Sequence, residues 1–82
     1  MEKLYRLKIP VTVNAIKLTP ENLKWVAQWC GGEVGVMDVN IKIPTLYGSM
    51  YAVDGNYVIK KRNGDFFILH SSYFEDQYEL VN

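Results

Sequence analysis

An Asn-Gly pair set between two apolar, β-branched and aromatic runs leaves a chain few ways to fold. Residues 57–70 of this 82-residue protein, YVIKKRNGDFFILH, carry such a pair at Asn63-Gly64. Asparagine and glycine both tolerate positive φ, so the segment predicts two strands joined by a two-residue type I′ turn. That loop length dictates a register in which Arg62 faces Asp65, Lys60 faces Phe67, Val58 faces Leu69 and, on the other side, Ile59 faces Ile68. Both faces are apolar near the base. The hairpin is therefore expected to be buried on two sides at its root, with the basic tip Lys60-Lys61-Arg62 in solvent.

The remaining elements follow from local pattern. Leu4 to Leu18 alternates through Val11, Val13 and Ala15 and reads as one strand interrupted or bent at Pro10, which has no amide to donate. Thr19-Pro20-Glu21 predicts a helix start, with a hydroxyl cap, a proline where no amide is needed and a carboxylate near the positive end. Gly31-Gly32 predicts its stop, giving a helix over 20–30. At 100° per residue Leu23, Val26, Ala27 and Cys30 share one arc, the packing face. Trp25 falls almost opposite that arc, and Trp29, one turn on, lies at its margin. Val39, Ile41 and Ile43 then alternate with polar residues toward a turn at Tyr47-Gly48. A second hairpin, returning through Ser49 to Val53, is implied. Asp54-Gly55-Asn56 supplies another turn, Ser71 to Glu75 a single helical turn capped by serine, and Gln77 to Val81 a short final strand.

These elements predict a single α+β domain over residues 1–82: one helix packed on a twisted antiparallel sheet of about five or six strands, with a partial barrel as a variant of the same architecture. With 49 % of its residues apolar, a chain this short is near the lower limit for a self-sufficient core, so a homo-oligomer is expected. The charge is zero overall, which argues against non-specific attraction to nucleic acid. It is uneven, however. Lys3, Arg6, Lys8 and Lys17 make the start basic, and Asp65, Glu75, Asp76 and Glu79 make the end acidic, as suits first and last strands lying side by side. No apolar run approaches a membrane span, and MEKLYRLKIP carries charges where a secretory leader needs its apolar segment. One cysteine excludes an intrachain disulfide. The expected setting is intracellular.

The order YRLKIPVTVNAIKLTPENLKWVAQWCGGEVG, IKIPTLYGSM, DGNYVIKKRNGDFF and YFEDQYE resembles a family of small proteins encoded by bacteriophages and prophages. Its members share a Trp-Cys-Gly-Gly-like box, an Ile-Pro-Thr-Leu-x-Gly hairpin and a Phe-Glu-x-x-Tyr-Glu-like close. The resemblance spans nearly the whole chain. This chain departs from the pattern at Asp54-Gly55-Asn56, where relatives have Pro-Gly-Asp, and at Trp25, where an acidic residue is usual. The resemblance implies a viral protein in the cytoplasm of a host bacterium and carries no activity onto particular residues.

Chemistry is sparse. His70 with one distant cysteine cannot supply a zinc site. Cys30 on the packing face is not placed as a nucleophile, and Gly31 to Gly35 lacks the lysine and hydroxyl of a phosphate loop. No catalytic residue, metal or cofactor is expected. The surplus is aromatic: six tyrosines and two tryptophans, residues suited to interfaces. The candidate binding residues are Trp25, Trp29, Tyr47, Tyr51, Lys60 and Arg62, the last two able to hold a phosphate beside Phe66 and Phe67. The leading expectation is a non-enzymatic anti-defence protein that sequesters a nucleotide-type immune signal, a cyclic nucleotide or a cyclic ADP-ribose-type molecule. Two other roles fit the same residues, a module that binds a host defence protein and a virion or packaging accessory.

Overall fold

A computed structural model describes residues 2–7 and 12–81. The order is β1 (Lys3–Leu7), β2 (Thr12–Lys17), α1 (Leu23–Cys30), β3 (Glu33–Val34), a short 3₁₀ turn (Val36–Asp38), β4 (Asn40–Thr45), β5 (Gly48–Val53), β6 (Tyr57–Lys60), β7 (Phe66–Leu69), α2 (Ser71–Gln77) and β8 (Tyr78–Leu80). The fold is α+β and its pairings are antiparallel. The strands form two sheets, β7-β6-β2-β1-β8 and β3-β4-β5, and neither closes into a barrel.

The expected single strand over Leu4 to Leu18 is instead a pair, β1 against β2, with Lys3 opposite Ala15 and Tyr5 opposite Val13. The bend at Pro10, with Val11, lies outside the described residues. First and last strands do pair, Tyr5 opposite Leu80 and Leu7 opposite Tyr78.

The five-stranded sheet is covered on both faces. One face presents Ile16 and Val58 to α1 and the smaller sheet, where Leu18, Val26, Ile41 and Ile43 are fully buried. The other presents Val13, Ala15, Tyr57 and Ile59 to Phe74 of α2. This explains why Tyr57, Val58 and Ile59 are all buried in succession: alternate residues of β6 enter two different cores. Phe74 stacks on Tyr57 at 3.9 Å and on Tyr78 at 4.5 Å, and meets Tyr5 edge-on at 4.8 Å. Three of the six tyrosines thus pack on this side of the sheet, Tyr57 buried and Tyr5 and Tyr78 half-buried.

Helix α1 buries the expected arc, Leu23, Val26, Ala27 and Cys30. It starts three residues later than its signals indicated. The Asn22 side chain accepts the Thr19 N–H at 2.9 Å and donates to the Lys17 carbonyl at 3.0 Å, holding residues 20–22 in a turn. The stop is as read: Gly31 adopts φ +69°, its N–H reaches the Gln28 carbonyl, and the Gly32 N–H reaches that of Ala27 at 2.8 Å. Val39 is exposed rather than inward, because Met37 and Asp38 take φ +63° and +54° and kink the chain before β4. Helix α2 has two turns, and its cap is the His70 ring, which accepts the Ser72 N–H, rather than a serine.

The register of the last hairpin differs by one residue from expectation. Lys60 faces Phe66, Ile59 faces Phe67, Val58 faces Ile68 and Tyr57 faces Leu69. Only Gly64 has positive φ in this turn. The Asn63 amide instead accepts the Asp65 N–H and donates to the Asp65 carboxylate, both at 3.0 Å. The loop therefore has three residues, Arg62-Asn63-Gly64, closed by Lys61 N–H to Asp65 carbonyl at 2.8 Å. A one-residue shift exchanges faces. It sends Phe66 toward α1 and Phe67 toward α2.

Candidate functional site

On α1, residues four apart share a side. Trp25 stacks on Trp29, with ring centroids 6.3 Å apart and planes inclined by 23°. Trp29 is half-buried against the core and meets Phe66 edge-on at 5.3 Å. Trp25 is 43 % exposed, as its position opposite the packing arc requires. Phe66 lies directly across from Lys60, which also faces Asn14. An aromatic row thus runs from the outer side of α1 to the basic end of β6.

At that end β6 continues into Lys61 and Arg62 beside the start of β2, and clefts open on either side. The larger, about 430 Å³, is lined by Thr12, Val13, Lys61, Arg62, Asn63, Phe67 and Tyr78. The smaller, about 250 Å³, shares Thr12, Val13, Lys61 and Arg62 and adds Leu4, Asn14 and Lys60. Lys61 Nζ lies 5.3 Å from the Phe67 ring centroid, a cation over an aromatic face. Burial, then the charge of Tyr73, raises the Tyr78 phenol pKa. Among the described residues Lys60, Lys61 and Arg62 form no ion pair. Their charge is open to an anion.

The candidate residues do not form one site. Lys60 and Arg62 meet at the clefts, and Trp25 and Trp29 lie at the far end of the aromatic row. Tyr47 sits 90 % exposed in the β4–β5 turn, its N–H donating to Thr45 Oγ1. Tyr51 faces Lys42 on the side of the smaller sheet away from its buried Ile41, Ile43 and Ala52. Among the described residues, the tryptophan rings pair with each other and with Phe66, and with neither of these tyrosines. Thr12, Val13 and Tyr78 are not candidates from sequence, since only the sheet order sets the start of β2 beside the hairpin, and only packing on the same α2-side cluster brings Tyr78 into the cleft with Phe67.

Cys30 is 3 % exposed, and burial raises its thiol pKa, so it packs as a small apolar residue. Among the described residues no three His, Cys, Asp or Glu side chains could hold a metal ion. Among the described residues no helix is long and apolar enough to cross a membrane. Comparison with family models, curated proteins and solved structures gives no match.

Proposed function

We propose that this chain is a bacteriophage-encoded, non-enzymatic binding protein of the host cytoplasm that counters a bacterial defence by capturing a small nucleotide-type signal. The observation that carries the reading is the larger cleft. Its volume of about 430 Å³ falls within the range of small-molecule sites. It combines the apolar surfaces of Val13, Phe67 and Tyr78 with two unpaired cations. A base would lie against Phe67 and Tyr78, and a phosphate would sit between Lys61 and Arg62. Capture needs tight binding alone, which suits a site built of flat rings and fixed charge.

Calorimetric titration with cyclic dinucleotides, cyclic trinucleotides and cyclic ADP-ribose isomers tests the reading. One of them is expected to bind, and Arg62→Ala should weaken it about ten- to hundredfold, the worth of a charged hydrogen bond. No heat with any of the three classes removes the proposal. A second reading, docking on a host defence protein through Trp25, is favoured by the exposed indole stacked on a half-buried one. Loss of a host protein from pull-downs with Trp25→Ala, with cleft ligands still inert, would select it.

A further inference from the structure

Among the described residues, strand β5 is an outer strand, bonded to β4 alone. Two observations tell which of its backbone groups point outward. The Val53 N–H donates to the Asn56 side chain at 3.0 Å instead of to β4. Ser49 faces Pro44, which has no N–H to exchange. Bonding direction alternates along an antiparallel ladder, so Ser49, Tyr51 and Val53 direct their amides and carbonyls away from β4. Asn56 occupies the Val53 amide. Among the described residues, no backbone bond from another element covers those of Ser49 or Tyr51.

Outer strands of stable monomers are protected by charge, proline or a bulge. β5, Gly-Ser-Met-Tyr-Ala-Val, has no charge and no proline, and its pairing runs without interruption from Gly48 to Val53. Met50 lies opposite the fully buried Ile43, on the core side of the sheet, yet is 41 % exposed. Part of that side chain is therefore open to solvent.

We infer that β5 is the seam of a homodimer, in which it pairs antiparallel with β5 of a second copy about a two-fold axis at Met50. This register pairs Ser49 with Tyr51 of the second copy and Tyr51 with its Ser49, so both open amides and both open carbonyls of each strand are bonded. The Val53 amide keeps Asn56. Side chains suit the same register: serine opposes tyrosine, Gly48 opposes Ala52, and each Met50 covers the other where opposed Cα atoms are closest. A two-fold brings a strand against its own copy, which penalises any strand bearing charge. β5 bears none, and its two open amide–carbonyl sets at Ser49 and Tyr51 are spaced to meet their own copy about Met50, which makes a second copy the occupant. The two three-stranded sheets become one of six strands.

Sedimentation equilibrium over the micromolar to submillimolar range tests this, with a mass twice that of the 9.5 kDa chain expected. Ser49→Pro removes an outward amide without touching the β4 ladder, and should yield a folded monomer. Met50→Cys should form a disulfide-linked dimer when treated with diamide, since Cα atoms about 4.5 Å apart suit that bond. Cys30, buried, serves as the internal control. A monomer at every concentration overturns the inference. So does a dimer that survives Ser49→Pro and leaves Met50→Cys uncrosslinked, because another surface would then hold it.

Discussion

Replacing Gly32 by alanine probes how closely α1 approaches β4. A Cβ at Gly32 would lie 2.6 Å from the Lys42 carbonyl oxygen, 2.9 Å from Ile41 Cγ2 and 3.2 Å from Cys30 Sγ. The first neighbour is backbone of a central strand. The second belongs to a fully buried side chain, and the third to another buried residue. None can swing aside, so the helix end must lift. Overpacking of this kind costs about 1–3 kcal/mol, and contact with immobile backbone places Gly32→Ala at about 3. For a domain of this size that lowers the melting temperature by about 12–24 °C. Gly31→Ala is the matched control. Nothing lies within 4 Å of its Cβ, but its φ of +69° is unfavourable for alanine, a cost of about 1–2 kcal/mol. Thermal unfolding followed by circular dichroism ranks the two variants. Should Gly32→Ala melt no lower than Gly31→Ala, space at the helix end is not what demands the second glycine.

Burial, then the hydrogen bond donated to Glu75 at 3.1 Å, raises the Tyr57 phenol pKa well above its usual value. The folded state therefore holds this proton more tightly than the unfolded state. Its contribution is complete below the unfolded tyrosine pKa of about 10 and is lost as pH climbs beyond it. Urea unfolding of Tyr57→Phe across that interval should show a shallower alkaline decline than the parent; an equal decline refutes the assignment. Trp25→Ala should cost under about 1 kcal/mol while removing most quencher-accessible fluorescence. Trp29→Ala, packed on Phe66 and the core, should cost at least about 2 kcal/mol. The reverse order would mean that the two indoles exchange roles. Cys30 should react with a thiol reagent only in denaturant, and rapid native labelling would contradict its burial.

The candidate site was legible in part. Lys60 and Arg62 do line the clefts, and Trp25 is turned to solvent, because a tip and a helix face are local properties. Tyr47 and Tyr51 were chosen on composition, and the structure places them apart from the others. Thr12, Val13 and Tyr78 carry no sequence signal for a site. Each is an ordinary strand residue until the order β7-β6-β2-β1-β8 sets the start of β2 beside the hairpin and packing around Phe74 turns Tyr78 to the same face as Phe67.

Short-range chemistry written in the chain determines its elements: the arc of α1, the glycine pair that ends it and both later hairpins. What tertiary structure alone decided was registration and partition. At Asn63 two competing turns differ by one residue, and the longer loop is the one that sends Phe66 into the α1 core and Phe67 into the α2 core. At 8–11 a connection that reads as a bend joins two strands that pair with each other. Strands 33–53 separate into their own sheet because Ile41, Ile43 and Ala52 bury against α1 rather than extending the larger ladder. These choices depend on contacts between residues far apart in the chain. Local propensity cannot rank them, since each alternative satisfies the same nearby hydrogen bonds and differs only in which apolar faces meet.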